Sequence, residues 1–471
     1  MRKKIAKSLL SLTCGFILIG AQDDNPAVQE VPSNSDGEEV FGSGYLPYAP
    51  APDAVPLEPG RPAAGIDLEA IANPQLLQAL SARFGDDKAS SEAKGQLRNA
   101  PLLRTFRRSN ALPQFRMRRA STSEAAVLPV GTVLKVHFVN VGQGAGAILE
   151  FPCATAVIDT GGEYAKGPGT VKGGEMFEAY LDKFFRERPT RNRTIDVLFT
   201  SHPHEDHLAG LRAIMAQSGS AGYTVRNVVD NGQTYDKGSL QAQRNFGTWA
   251  KERGAAYSAI TVNATRSATG VTNSVIDPIG SCQGVDPIIT GFWGANYAKI
   301  KPDAQPSDPW VNPNNHSLVL RVDFGKASFL FVGDLEDTGS NEMLREFAAN
   351  PDVFDVDVYA VSHHGAGNDT TDPLIKAMSP RLAIISMGTP AAQVPHSAWS
   401  YGHPRLKAID VMQKQPQIVS DTRGAQAFPV ASAIKSFGDV PITRGIYGTG
   451  WEGTLIVEAT AQGQYQVVAA P

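Results

Sequence analysis

The chain has 471 residues, 42% hydrophobic and 19% charged, which is more than one ordinary domain needs and enough apolar surface to bury a core. Its 43 Lys and Arg nearly balance 47 Asp and Glu, for a formal net charge of -4, which excludes a protein that holds nucleic acid stably through bulk positive charge. Three cysteines exclude a disulfide-stapled scaffold and a Cys-rich zinc module.

Residues 1–21 open with Arg2, Lys3, Lys4 and Lys7, continue as an apolar run from Leu9 to Gly20, and end at Ala21. A basic head, a short apolar centre and a small residue describe a secretory signal peptide, so the expectation is export to the periplasm or the extracellular space. The run is shorter than the roughly 20 residues a membrane span requires. No later segment approaches that length, so no span is expected in the mature chain. Residues 22–65 are rich in Pro, Gly, Ser and acid and read as a disordered linker. Residues 66–130 begin with helical spacing at Leu68, Ile71, Leu76, Leu77 and Leu80. They continue into a patch of Arg104, Arg107, Arg108, Arg116, Arg118 and Arg119. With few aromatics for stacking, the patch reads as a solvated linker offsetting the acidic stretch, rather than a polyanion site.

From residue 131 to 471 the texture is that of a folded catalytic domain. Apolar runs at 133–139, 157–159, 195–200, 317–324, 328–332, 356–362 and 382–386 read as buried strands. Helical spacing appears at 176–186, 208–217, 341–349 and 404–413. Strands mixed with helices imply an α/β fold with helices covering the sheets. Residues 219–308, rich in Gly, Asn, Ser and Thr, read as an insertion forming part of a substrate wall. Cys153 and Cys282 lie in neither a CxxC nor a Cys-His pattern, and in an oxidising compartment they could pair.

The chemistry concentrates in Thr200-Ser201-His202-Pro203-His204-Glu205-Asp206-His207-Leu208. A strand ends at Ser201 and a helix is expected to begin near Leu208. His202 and His204, two apart on an extended turn, can aim at one point; Asp206 and His207 can aim at a neighbouring one. Imidazole nitrogen with carboxylate oxygen, and no thiolate, is the donor set of a catalytic zinc site.

This HxHxDH spacing after a strand resembles the metallo-β-lactamase superfamily, and its other motifs follow in order. They are Val157-Ile158-Asp159-Thr160-Gly161, Val332-Gly333-Asp334 and Ser362-His363-His364-Gly365. The resemblance implies a four-layer αββα sandwich in which Asp159 orients the ligands, Asp334 bridges two metals and His363 or His364 supplies a further ligand. Val141-Gly142-Gln143-Gly144, Asn314-Asn315-His316-Ser317 and Tyr401-Gly402-His403-Pro404 narrow the resemblance. It is then to the soluble domain of ComEC-type competence proteins and to phosphorylcholine esterases, over about residues 131–471. Asn140 and Ala145 depart from the family's Asp-Val-Gly-Gln-Gly-Asp. The channel of the competence proteins is absent from the sequence, so DNA uptake is not implied.

The resemblance implies one divalent ion on His202, His204 and Asp334, and a second on Asp206, His207, Asp334 and one of His363 or His364. Zinc is expected, with Mn or Fe as alternatives. A bridging water of lowered pKa would attack a phosphodiester, with Asp206 in the reacting centre and His403 as general acid or substrate contact. A lactonase or β-lactamase-like acyl hydrolase, or a non-catalytic metal-binding module, is the competing reading. The separate Gly-His of those acyl hydrolases is missing. His316 is either a replacement ligand or, preferably, a strand residue with a satisfied ring. His137 and His396 have no motif around them and receive no role.

Overall fold

A computed structural model describes residues 117–119, 132–162, 172–234, 238–265, 269–300, 304–305, 307–421, 423–424 and 426–470. The signal peptide, the Pro-rich linker, the helical stretch and the arginines from Arg104 to Arg116 lie outside the described residues.

The first half contains β1 (Met117–Arg119), β2 (Val133–Phe138), β3 (Gly146–Glu150), β4 (Thr155–Thr160) and α1 (Gly173–Arg186). It continues with β5 (Thr194–Ile195), β6 (Val197–Thr200), α2 (Glu205–Ala216), β7 (Thr224–Val225), β8 (Asn227–Asp230), α3 (Leu240–Lys251) and β9 (Ala256–Ala259). The second half contains α4 (Val262–Thr265), β10 (Pro287–Trp293), β11 (Val319–Phe324), β12 (Ala327–Phe331), α5 (Asp337–Glu346), β13 (Val358–Ala360) and α6 (Asp372–Met378). After it come β14 (Leu382–Ile385), α7 (Ala398–Tyr401), α8 (Leu406–Gln413), β15 (Ala427–Ala433) and β16 (Ser436–Pro441). The last elements are β17 (Ile446–Gly448), α9 (Thr449–Glu452), β18 (Leu455–Thr460) and β19 (Tyr465–Ala469).

Two large sheets result, one of nine strands in the order β1-β19-β18-β2-β3-β4-β6-β8-β9 and one of six in the order β10-β11-β12-β13-β14-β17, beside the two-stranded pairs β15-β16 and β5-β7. The period of two along each strand assigns its side chains to layers. Leu134, Val136 and Phe138 of β2, Val197 and Phe199 of β6, Leu320, Val322 and Phe324 of β11, and Leu382 and Ile384 of β14 share the core between the sheets. The alternate residues Ile148, Val157 and Leu198 pack outward onto Phe177 and Leu181 of α1, Leu211 of α2 and Phe246 of α3. On the other flank Val319, Leu330, Ala383 and Ile385 pack onto Met343 of α5, Leu374 of α6 and Met412 of α8. Strands clothed on both faces explain the unbroken apolar runs, and the layers are helix, sheet, sheet, helix.

Several local expectations need correction. The run 195–200 is not one strand: β5 pairs with β7 and β6 with β4 and β8, because Asp196 turns out to accept from the Thr155 amide. α2 starts at Glu205, three residues before the expected start, so Asp206 and His207 sit in its first turn. Residues 219–308 are no simple insertion: β8 and β9 extend the larger sheet and β10 forms an edge of the smaller one. Met117–Arg119, assigned to the Arg-rich segment, pairs parallel with β19.

Candidate metal centre

The site lies where strand ends of both sheets meet. The larger sheet contributes Asp159 at the end of β4 and the turn 201–204 between β6 and α2. The smaller sheet contributes Asp334 after β12, the turn 362–365 after β13 and Ser386 after β14. Close approach explains two glycines of the motifs. A Cβ on Gly161 would stand 1.6 Å from the Asp206 carbonyl oxygen, and one on Gly333 (φ +54°) would stand 2.8 Å from Ser201 Cβ.

Two groups of donors converge, each with its atoms within 4.8 Å of one another: Asp206, His207, Asp334 and His364, and His202, His204 and Asp334. Asp334 is common to both. His202 Nε2 lies 3.1 Å from His204 Nδ1, and His207 Nε2 lies 3.0 Å from Asp334 Oδ1. His364 Nε2 is 3.2 Å from Asp206 Oδ2 and 3.5 Å from Asp334 Oδ2. His363 belongs to neither group.

The far nitrogens of these rings are tied down. Asp159 Oδ2 accepts from His207 Nδ1 at 2.8 Å and from the Ser201 hydroxyl at 2.7 Å, and Asp159 Oδ1 accepts from the Ser201 amide at 2.7 Å. With its proton given to Asp159, the Ser201 oxygen accepts from His202 Nδ1 at 3.1 Å. The Ser386 carbonyl accepts from His364 Nδ1 at 2.7 Å. Each of these bonds places the proton on Nδ1 and leaves the Nε2 lone pair facing inward. Asp159, His363 and His364 all hold positive φ (55°, 46° and 55°), a conformation that costs energy and concentrates at functional sites.

The electrostatics fit a cation. Burial opposes charge on Asp334, but His207, His364 and His363 hold its carboxyl well below the usual range. Asp206 is likewise lowered against its burial, chiefly by the hydrogen bond and charge of His364 and the charge of His207. Burial pulls His207 and His364 down, yet the carboxylates dominate: Asp334 and Asp159 raise His207 well above its ordinary value, and Asp334 and Asp206 raise His364 to about 9. The cluster therefore draws in positive charge. Nε2 of His207 and of His364 is buried and meets the carboxylates of Asp334 and Asp206, the donors with which it would share a metal.

His403 is buried beside this centre, with its ring stacked on His364 at 6.1 Å between centroids and edge-on to His363 at 5.5 Å. Burial, reinforced by the charges of His363 and His364, holds it well below its ordinary value. Gln143 Nε2 stands 3.1 Å from His403 Nδ1, while Gln143 Oε1 accepts from the Gly388 amide at 3.4 Å. That second bond identifies Nε2 as the donor, so the His403 proton sits on its own Nε2. His316 is satisfied away from the site: Nδ1 accepts from the Asn296 amide at 2.9 Å and Nε2 donates to the Trp310 carbonyl at 2.8 Å. Burial drops its pKa to about 4. Sequence reasoning gave no role to Ser201, Gln143, Ser386 or Glu336. Ser201 had a signal, since it is the last strand residue before the HxH turn; Ser386 acts through a carbonyl and leaves none.

This arrangement, two face-to-face sheets between helices with a His/Asp centre at their strand ends, is the metallo-β-lactamase fold. In sequence the chain is similar to competence proteins. It is 24% identical over 318 residues to ComE operon protein 3 of Bacillus subtilis, covering 65% of this chain and 34% of that protein. It is 27% identical over 95 residues to competence protein ComA of Neisseria gonorrhoeae, covering 20% of this chain and 13% of that protein. The chain thus spans about a third or less of the length of these curated relatives. The metallo-β-lactamase fold protein YhfI from Bacillus subtilis aligns with 54% of this chain and 85% of its own, at 13% identity and a TM-score of 0.31. No protein-family model matches the chain.

Proposed function

We propose that the chain is an exported, metal-dependent phosphodiesterase that works with two divalent ions, zinc in the first instance. The observation carrying this reading is the sharing of Asp334 between two groups of imidazole and carboxylate donors. Such oxygen-and-nitrogen sets, free of thiolate, are catalytic rather than structural. His202, His204 and Asp334 would hold one ion, and Asp206, His207, Asp334 and His364 the other. When bound, paired divalent ions bring the pKa of a water toward ~7 and offset negative charge that develops on phosphoryl oxygens.

The chain's own residues supply the geometry. Asp159 and Ser201 keep the rings of His207 and His202 from rotating. Asp206 is a ligand donor in this reading and not a proton carrier. His403, with its proton on Nε2, is read as a hydrogen-bond donor to a substrate oxygen, a substrate contact or general acid.

Export is supported by the disulfide between Cys153 and Cys282, since such bonds persist in oxidising compartments. Among the described residues no helix is long and apolar enough to cross a membrane.

The test is metal analysis of the purified chain together with hydrolysis of bis-(4-nitrophenyl) phosphate, a lactone and a β-lactam, each with and without chelator. Chelator-sensitive turnover of the phosphodiester is expected. Turnover of an acyl substrate instead would replace this reading with that of an acyl hydrolase.

A further inference from the structure

Gln143 sits in the turn from β2 to β3 and is 1% exposed. Gly142 and Gly144 flank it, both with positive φ (76° and 141°). The backbone of this turn is fixed to the metal centre. The Ala145 amide donates to the Asp206 carbonyl at 3.0 Å, and the Gly161 amide donates to the Ala145 carbonyl at 2.9 Å. A Cβ on Gly144 would stand 2.4 Å from that same Asp206 oxygen, so the turn admits no side chain there. From this base Gln143 reaches two distant partners. Its Oε1 accepts from the Gly388 amide, 245 residues on, at 3.4 Å, and its Nε2 stands 3.1 Å from His403 Nδ1, 260 residues on. The Gly388 amide can only donate, which places the glutamine oxygen there and the NH2 group against His403. An amide nitrogen has no lone pair to offer. A proton on His403 Nδ1 would set two donors against each other between two buried side chains, stranding one of them. Stacking fixes the plane of the same ring, with Tyr401 at 5.8 Å and 23° and His364 at 6.1 Å and 27°. Tyr401 is tied in turn, its hydroxyl 2.9 Å from His396 Nδ1.

We propose that Gln143 is a positioning residue for His403, one that keeps the single imidazole proton on Nε2. His403 then serves as a fixed hydrogen-bond donor to the phosphoryl oxygen on which negative charge builds, and not as the acid that protonates the leaving oxygen. A singly protonated imidazole is too weak an acid for that transfer, since it would be left as imidazolate. It still stabilises a growing oxyanion through the bond it donates. Of the two roles open to His403, the substrate contact is therefore the one its surroundings support. That contact presupposes the phosphodiesterase reading, whereas the placement of the proton does not.

The experiment uses the metal-loaded full chain and two phosphodiesters, bis-(4-nitrophenyl) phosphate and diphenyl phosphate, whose leaving groups differ in basicity. His403→Ala should lower kcat by the same factor on both, about 100-fold. A loss about 10-fold larger on diphenyl phosphate would mark His403 as the proton donor and overturn its assigned role. Gln143→Glu keeps an oxygen for the Gly388 amide but offers His403 Nδ1 an acceptor. Imidazole nitrogen NMR should show the His403 proton on Nε2 in the wild type and on Nδ1 in Gln143→Glu. That variant should lower kcat about 10-fold with KM and metal content unchanged. Combined with His403→Ala it should cause no further loss, because one residue acts through the other. A proton on His403 Nδ1 in the wild type, a measurement that needs no variant to fold, would overturn the proposal. So would an unmoved proton in Gln143→Glu or multiplicative losses in the double variant. A wild type idle on both phosphodiesters would defeat the functional reading, while the nitrogen spectra would still decide the positioning.

Discussion

Two regions of this protein bury histidines against carboxylates, and only one of them is built for a cation. On the outer face of β2, His137 is 3% exposed and has both nitrogens engaged, Nδ1 with the Tyr180 hydroxyl at 2.9 Å and Nε2 with Glu150 at 3.2 Å. Arg188 completes that group with two bonds to Glu150 at 2.5 and 2.9 Å. In the metal centre, His207 and His364 are equally buried but have one nitrogen anchored and the other turned to carboxylates that several imidazoles share. Burial and a nearby carboxylate are thus common to a structural histidine and a ligand. The convergence of several donors on one shared carboxylate is what separates them.

The comparison can be broken most sharply at Asp334. Asp334→Ala removes the donor that both groups share, so both ions and at least about 10³-fold of any phosphodiester hydrolysis should be lost together. Retention of metal with full turnover would abolish the distinction between the two regions. A second contrast sets His364→Ala against His316→Ala. The first should remove one ion and leave the fold intact. The second should keep both ions and cost about 2–4 kcal/mol in chemical unfolding, because it strands the Asn296 amide and the Trp310 carbonyl and opens a cavity.

A subtler variant, Asp159→Asn, removes the acceptor that anchors His207, and metal affinity should weaken about 10- to 100-fold in a competition titration. The smallest effect belongs to the His137 region. Its neighbours, His137 and Arg188, overcome burial and lower the Glu150 carboxyl to about 2. Because the folded value lies below that of the unfolded chain, the stabilisation is complete above about pH 4.5 and is lost as pH falls toward 2. Burial also lowers His137, which acts in the same direction as pH falls below about 6.5. Glu150→Gln should therefore flatten the fall in unfolding free energy between pH 5 and 3 by about 1 kcal/mol, after allowance for solvent screening, with no change in metal content.

Much of the centre was legible because its donors sit in short motifs at strand ends, where a few residues fix direction. His202, His204, Asp206 and His207 need only one turn between β6 and α2 to converge. Asp334 and His364 were legible through motif order, but the choice of His364 over His363 was not. It depends on the left-handed backbone of both residues and on a carbonyl from β14. Glu336 carried no sequence signal of purpose, since a Glu after Gly-Asp-Leu resembles a helix cap, whereas Asn314 and Asn315, which donate to it, stand in the Asn-Asn-His-Ser motif. Among the strands of residues 219–308, β9 escaped notice because it is largely exposed and lacks the apolar run by which a buried strand is read.

The sequence alone determined which chemical groups are present, the period-two layering of the main strands, and the local turn that gathers three imidazoles and two carboxylates. Those properties are set within a few residues by backbone geometry and burial. Only the tertiary structure decided that His364 rather than its neighbour joins the shared carboxylate, and that His316 is turned away. Both outcomes depend on which way each imidazole is turned, and that is fixed by side chains and carbonyls arriving from remote parts of the chain.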